Sequence, residues 1–131
     1  MGFLYVLVQW TWGILQTGIG FLLYLFYHSH EHFRYHHSIV TLWDKRGSMS
    51  LGMFIFLDKR APEHILVHEF GHTIQSIYFG PFYMLIFGIP SFLWCNVRAF
   101  HHYRVKNRIS YFSFYTEKSA NILGEKYIDI F

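Results

Sequence analysis

Two histidines four residues apart bracket a glutamate in the stretch HILVHEFGHTIQSIYFG, residues 64–80. On a helix turning about 100° per residue, His68 and His72 fall on one face and can aim two imidazole nitrogens at one cation. Glu69 lies just round the helix, within reach of a water held by that cation. H-E-x-x-H is the spacing that zinc-assisted hydrolysis requires: neutral imidazoles hold the ion, and a carboxylate that is not itself a ligand takes the proton of the attacking water. His64, His68, Gly71, His72 and Gln75 share one polar arc, with Leu66, Val67, Phe70, Ile74, Ile77 and Tyr78 opposite. This predicts a two-faced helix over residues 61–79, with Pro62 tolerated in the first turn and a stop at Gly80-Pro81. Gly71, bare beside the ion, is expected to leave room for a substrate.

A catalytic zinc site needs three protein ligands and a water, so a third ligand has to come from elsewhere in the chain. Glu117 is the best candidate. It falls in a predicted helix over residues 113–124, where Asn121 comes four residues later on the same face and can hydrogen-bond a ligating imidazole. His101, His102 and Tyr115 are candidates for stabilising an oxyanion or holding substrate, with Tyr103 and Tyr111 competing for that role.

The pairing of H-E-x-x-H with E-x-x-x-N resembles the gluzincins, zincins like thermolysin and the CAAX endopeptidases, in which the second motif is E-x-x-x-D. Asn121 stands where the aspartate is usual. Its carbonyl can accept from an imidazole N–H but lacks the charge that makes the ligand more basic. The blocks HEFGHTIQS and YTEKSAN also resemble those of small bacterial membrane proteins, a likeness covering roughly the second half of the chain. The resemblance implies that His68, Glu69, His72 and Glu117 belong to one shared design and brings no activity or substrate with it.

The elements that must position these residues are read against an apolar background. Of 131 residues, 53% are hydrophobic, 22% aromatic and only 15% charged, against roughly 25% charged in ordinary soluble domains. Residues 3–27 carry no charge, longer than the ~20 residues a helix needs to cross hydrocarbon, and predict a retained transmembrane helix. Residues 38–59 place two β-rich runs around DKRGS and predict a β-hairpin. Residues 81–97 predict a kinked membrane-embedded helix, interrupted by Gly88 and Pro90. The expected fold is therefore mainly α: a single integral membrane domain with a small β-hairpin and a zincin-like helix.

Lys and Arg are absent before the first span and frequent after it, which predicts a metal site on the cytoplasmic side; a bacterial inner membrane is the expected location, although a eukaryotic organelle satisfies the same hydropathy. The net charge of +3 is not gathered into a basic stripe, which excludes nucleic acid as the expected partner. The lone Cys95 has no intramolecular disulfide partner. Histidines 28, 30, 32, 36 and 37 cluster beyond the first span, either as interfacial polar groups or as a second metal site. Taken together, the residues predict a zinc-dependent membrane peptidase acting on a peptide or membrane-protein substrate at the bilayer, with homo- or hetero-oligomers left open. The alternative is a non-catalytic metal-binding scaffold or partner subunit retaining a degenerate motif.

Overall fold

The structure, a computed structural model, describes residues 2–45 and 47–130. Two apolar helices, α1 (Gly2–Trp10) and α2 (Ile14–Phe26), precede four short strands, β1 (His32–Tyr35), β2 (Ser38–Trp43), β3 (Met49–Leu51) and β4 (Phe54–Asp58). The long helix α3 (Glu63–Phe79) follows, then a 3-10 turn and a π turn leading into α4 (Ile89–Asn96), α5 (Arg98–Asn107) and α6 (Tyr115–Tyr127).

The apolar run predicted to be a transmembrane helix over residues 3–27 is broken. It forms α1 and α2, whose axes meet at 94°, and among the described residues no single helix is long and apolar enough to cross a membrane. The integral-membrane reading of the fold is corrected accordingly. The cause lies in polar residues at the break. Gln9 donates to the Thr73 carbonyl at 2.8 Å, and Gln16 donates to Ser76 Oγ at 2.6 Å and to the Gly80 carbonyl at 3.0 Å. Ser76 Oγ in turn donates to Gln9 Oε1 at 2.8 Å. Buried amides must find partners, and here they find them on α3, which folds both helices against it around Gly13.

The predicted hairpin over residues 38–59 is also corrected. The two β-rich runs become β2 and β4, which pair in parallel with Ile39 opposite Phe54. The order across the sheet is β1-β2-β4-β3. The hairpins are β1–β2, turning at His36-His37, and β3–β4, turning at Gly52-Met53. The chain therefore crosses from β2, in the middle of the sheet, to β3 at its far edge, and the predicted DKRGS turn lies partly outside the described residues. Burial explains the parallel pair: Phe54 and Phe56 join Tyr5, Phe70 and Ile74 in one core, while Ile55 and Leu57 join Val40 and Leu66 in another. A strand buried on both faces belongs in the interior of a sheet.

Helix α3 is not two-faced towards water, since it is buried without a gap from His68 to Ser76. It is the central helix. Phe70 and Ile74 meet the sheet, Thr73 and Ser76 meet α1 and α2, and the histidine face meets α6. The segment predicted as one kinked helix over 81–97 divides into a 3-10 turn at Gly80–Phe82, a π turn at Met84–Gly88 and the eight-residue α4. Pro90 sits where the π turn passes into α4, and the Ile86 carbonyl four residues before it, which Pro90 has no N–H to meet, accepts from the Tyr115 hydroxyl instead.

Candidate metal centre

Helices α3 and α6 approach closely because each presents a glycine. A Cβ on Gly71 would lie 1.7 Å from the Ala120 carbonyl oxygen, and one on Gly124 would lie 2.3 Å from the Val67 carbonyl oxygen. The space expected beside Gly71 for a substrate is thus filled by the α6 backbone. What the glycine permits is the meeting of two polar faces.

His68, Glu69 and His72 are buried, and each offers a ligand atom within 4.8 Å of the others, close enough to bind one metal ion. Glu117, 1% exposed, brings Oε1 to 3.4 Å from His68 Nε2 and 3.5 Å from His72 Nε2. Both rings are fixed from behind. His68 Nδ1 faces Asn121 Oδ1 at 2.8 Å, and His72 Nδ1 faces Gln75 Oε1 at 2.8 Å. The Gln75 amide cannot be reversed, because its Nε2 donates to the Thr116 carbonyl and to Ser119 Oγ. With Nδ1–H donating on both rings, the Nε2 lone pairs converge on the Glu117 carboxylate. Three electron-rich atoms facing one another at these separations are too far apart for good hydrogen bonds and are spaced to share a cation or proton.

Glu117 is held on its other sides as well. Tyr111 donates to Oε1 at 2.7 Å, while Ser91 and Thr116 donate to Oε2 at 2.8 and 2.7 Å. Burial pushes its carboxyl up, but the contacts with His68, His72 and Tyr111 outweigh this and hold it well below the usual carboxylate range. Glu69 is pushed the other way. Burial raises its carboxyl, only partly offset by His72 and His68. Ser50 of β3 donates to Glu69 Oε1 at 3.1 Å and to its carbonyl at 2.8 Å, tying the edge strand to the motif.

Without a metal, a proton takes the cation's place on His72. Burial pulls the imidazole down, but Glu117 and Glu69 together raise it from 6.5 to about 9. A raised folded value stabilises the fold in full below the unfolded value and is lost as pH rises through the folded one. The metal-free protein should therefore lose thermal stability between about pH 6.5 and pH 9. Metal binding must displace the same proton, so apparent affinity should rise about tenfold per pH unit over that window. Melting curves in chelator and competitive chelator titrations across this range check both slopes.

A cavity of about 540 Å³ opens beside this cluster, walled by Ser50 and Leu51 of β3, by Glu69 and His72, and by Ile89 and Phe92 of α4. A second cavity, of about 380 Å³, reaches His68 and Glu69 past Pro62 and Ile65. Glu69 and Tyr111 border both, as does the free Cys95.

The candidates for an oxyanion or substrate role fall elsewhere. His101 and His102 are exposed on α5, a helix with no buried residue, and neither lines either of these two cavities. Tyr115 is half-exposed and donates to the Ile86 carbonyl at 2.6 Å. Tyr111 and the buried Tyr83 border the larger cavity instead. Sequence reasoning assigned no role to Gln75, Ser50 or Ser91. Gln75 was recoverable from its place three residues after His72 on a helix, whereas Ser50 and Ser91 carry no local signal. Among the described residues the only group of three ligand atoms close enough for a metal is that of the motif, not one from the histidines between 28 and 37, of which His32 pairs with Thr41 and His28 with the Leu25 carbonyl. No protein-family model, no curated protein and no solved structure matches the chain.

Proposed function

We propose that the chain is a zinc-dependent peptidase of the gluzincin type, with His68, His72 and Glu117 as ligands and Glu69 as general base. The observation that carries this reading is the separation of Glu117 Oε1 from the two imidazole Nε2 atoms. Ligands on a tetrahedral zinc at ~2.1 Å lie roughly 3.4 Å apart, and Glu117 Oε1 stands 3.4 and 3.5 Å from the two Nε2 atoms. Two neutral imidazoles and one carboxylate also suit zinc in charge and chemistry.

Zinc bound there supplies a Lewis acid that activates water and polarises a carbonyl. The protein supplies the proton path and the substrate's position. Glu69, its carboxyl raised by burial, accepts the water's proton and passes it to the leaving amine. Asn121 and Gln75 hold the imidazoles in the tautomer that leaves Nε2 bare, and Ser91, Thr116 and Tyr111 keep Glu117 from rotating. β3 is at once the edge of the sheet and a wall of the larger cavity. An extended peptide can add to that edge, with main-chain hydrogen bonds setting its register.

The test is metal content and cleavage on one preparation. The purified protein should carry one zinc per chain and cut a peptide library, chelator should abolish cutting, and added zinc should restore it. His68→Ala and Glu117→Gln should each lower zinc content. A preparation that holds zinc through Glu117→Gln unchanged would remove Glu117 from the ligand set.

A further inference from the structure

The N-terminal helices are inverted with respect to a helix whose outer side meets water. On α2 the buried positions are Gln16, Thr17 and Gly20. Ile14, Leu15, Leu22 and Phe26 stand exposed, Phe26 at 75%. Polar groups turned inward and large apolar groups turned outward mark a surface made for an apolar environment. That surface continues beyond α2. The ring of Trp12, at the elbow, lies against Gly80, and from there Phe82, Leu85, Ile89 and Phe92 form a second exposed stripe, Leu85 at 70%. Phe82 closes the 3-10 turn, Leu85 lies in the π turn, and Ile89 and Phe92 lie three apart on α4, so the stripe follows the segment from the elbow into α4.

Charge indicates what covers this surface. From residue 70 to residue 116 the sequence has no Asp or Glu, yet it holds Arg98, Arg104, Lys106 and Arg108. These belong to α5 and its end, directly after α4. Helix α5 buries nothing and exposes Phe100, Tyr103 and Val105 among its cations. A basic helix with exposed aromatic and aliphatic groups binds an anionic lipid surface by lying in the headgroup region. A second copy fits worse, because its own α1, α2 and residues 70–116 carry no Asp or Glu to meet the α5 cations.

We propose that α2, the stripe running from Phe82 to Phe92, and α5 form one face that seats the protein on an anionic bilayer surface without crossing it. Ile89 and Phe92 also wall the larger cavity, so docking turns the mouth of the cleft to the lipid. On the peptidase reading, on which this consequence alone rests, the substrate is a peptide segment lying at or emerging from the membrane surface.

The experiment is co-sedimentation of the purified full chain with phosphatidylcholine vesicles, with and without phosphatidylglycerol, at low and high salt. Binding should require the anionic lipid and weaken with salt. Arg98→Gln with Lys106→Gln should weaken it roughly thirty-fold, from about five-fold per cation near the surface. Phe82→Asn with Leu85→Asn should weaken it at least as much. Neither pair lines either of the two cavities described, and an unchanged circular-dichroism spectrum and denaturant midpoint show that the variants fold. The proposal is overturned if the wild type binds neither vesicle, if binding ignores lipid charge and both variant pairs, or if bound protein resists an alkaline carbonate wash as a spanning protein does. A stable dimer that Leu85→Asn dissociates, with no vesicle binding, overturns it in favour of self-association. Docking uses no metal, so Glu69→Gln should bind vesicles as the wild type does. A protein that docks but cleaves nothing fails only as a peptidase.

Discussion

Replacing Glu69 with Gln should lower peptide cleavage by about 10² to 10⁴, the usual contribution of a positioned general base, while zinc content stays unchanged. The amide keeps the shape of the side chain, and its carbonyl can still accept the hydrogen bond that Ser50 donates to Oε1. Basicity is what disappears. Stability should hold or rise near neutral pH, because the native carboxylate is raised by burial and a neutral amide removes the cost of ionising there. The informative measurement is single-turnover cleavage beside zinc content and a urea melt on the same batch. Full activity in the variant would sink the mechanism, and loss of zinc would make Glu69 a ligand. Near-silence in every assay would favour a metal-holding scaffold.

Gly71→Ala should be the most damaging single methyl in the chain. Its Cβ would meet the Ala120 carbonyl oxygen at 1.7 Å, and further backbone atoms of Ala120 at 2.5 and 2.9 Å. Backbone cannot rotate aside as a flexible side chain can, so α6 must move off α3. Overpacking of this kind costs about 1–3 kcal/mol and occasionally more. The larger effect is functional. Glu117 and Asn121 both ride on α6, so the shift withdraws a ligand and the partner of His68 together, and zinc should be lost while helical content remains. Gly18→Ala is the control: that helical position has open space around it, and alanine there should stabilise by about 0.5–1 kcal/mol. Chelator-competition zinc affinity and denaturant midpoints on the two variants separate them. Wild-type zinc affinity in Gly71→Ala would show that helix contact does not set the site.

The parts of the site legible in the sequence are those that follow from helical spacing. His68 and His72 share a face, and so do Glu117 and Asn121, whatever surrounds them, because residues four apart lie one above the other on a helix. The span of α3 was legible for the same reason, with Pro62 before it and Gly80 after it. Gln75 was partly legible. Ser50, Ser91 and Tyr111 reach the cluster through contacts across 19, 26 and 6 residues, and no local pattern encodes those meetings.

The N-terminal run shows the opposite limit. Hydropathy over residues 3–27 measures preference for an apolar environment and is silent on the direction of the chain. Gln9 and Gln16 decide that direction only once Thr73, Ser76 and Gly80 are present to pair with them. The strands follow the same rule. β-Rich composition marked the β2 and β4 regions as strands, but their parallel pairing depends on two cores, one on each side of β4, that form only when α1 and α3 have packed.

By itself the sequence determined the chemistry within reach: two imidazoles and a carboxylate on one helix, a second carboxylate and an amide on another, and an excess of apolar surface with no acidic residue from 70 to 116. Tertiary structure alone decided that the two polar faces meet, through the bare backbones of Gly71 and Gly124, and that the apolar surface is bent round the outside instead of running straight. The physical reason is range. Helical spacing acts over four residues, whereas burial and hydrogen-bond satisfaction act between any groups the folded chain brings into contact.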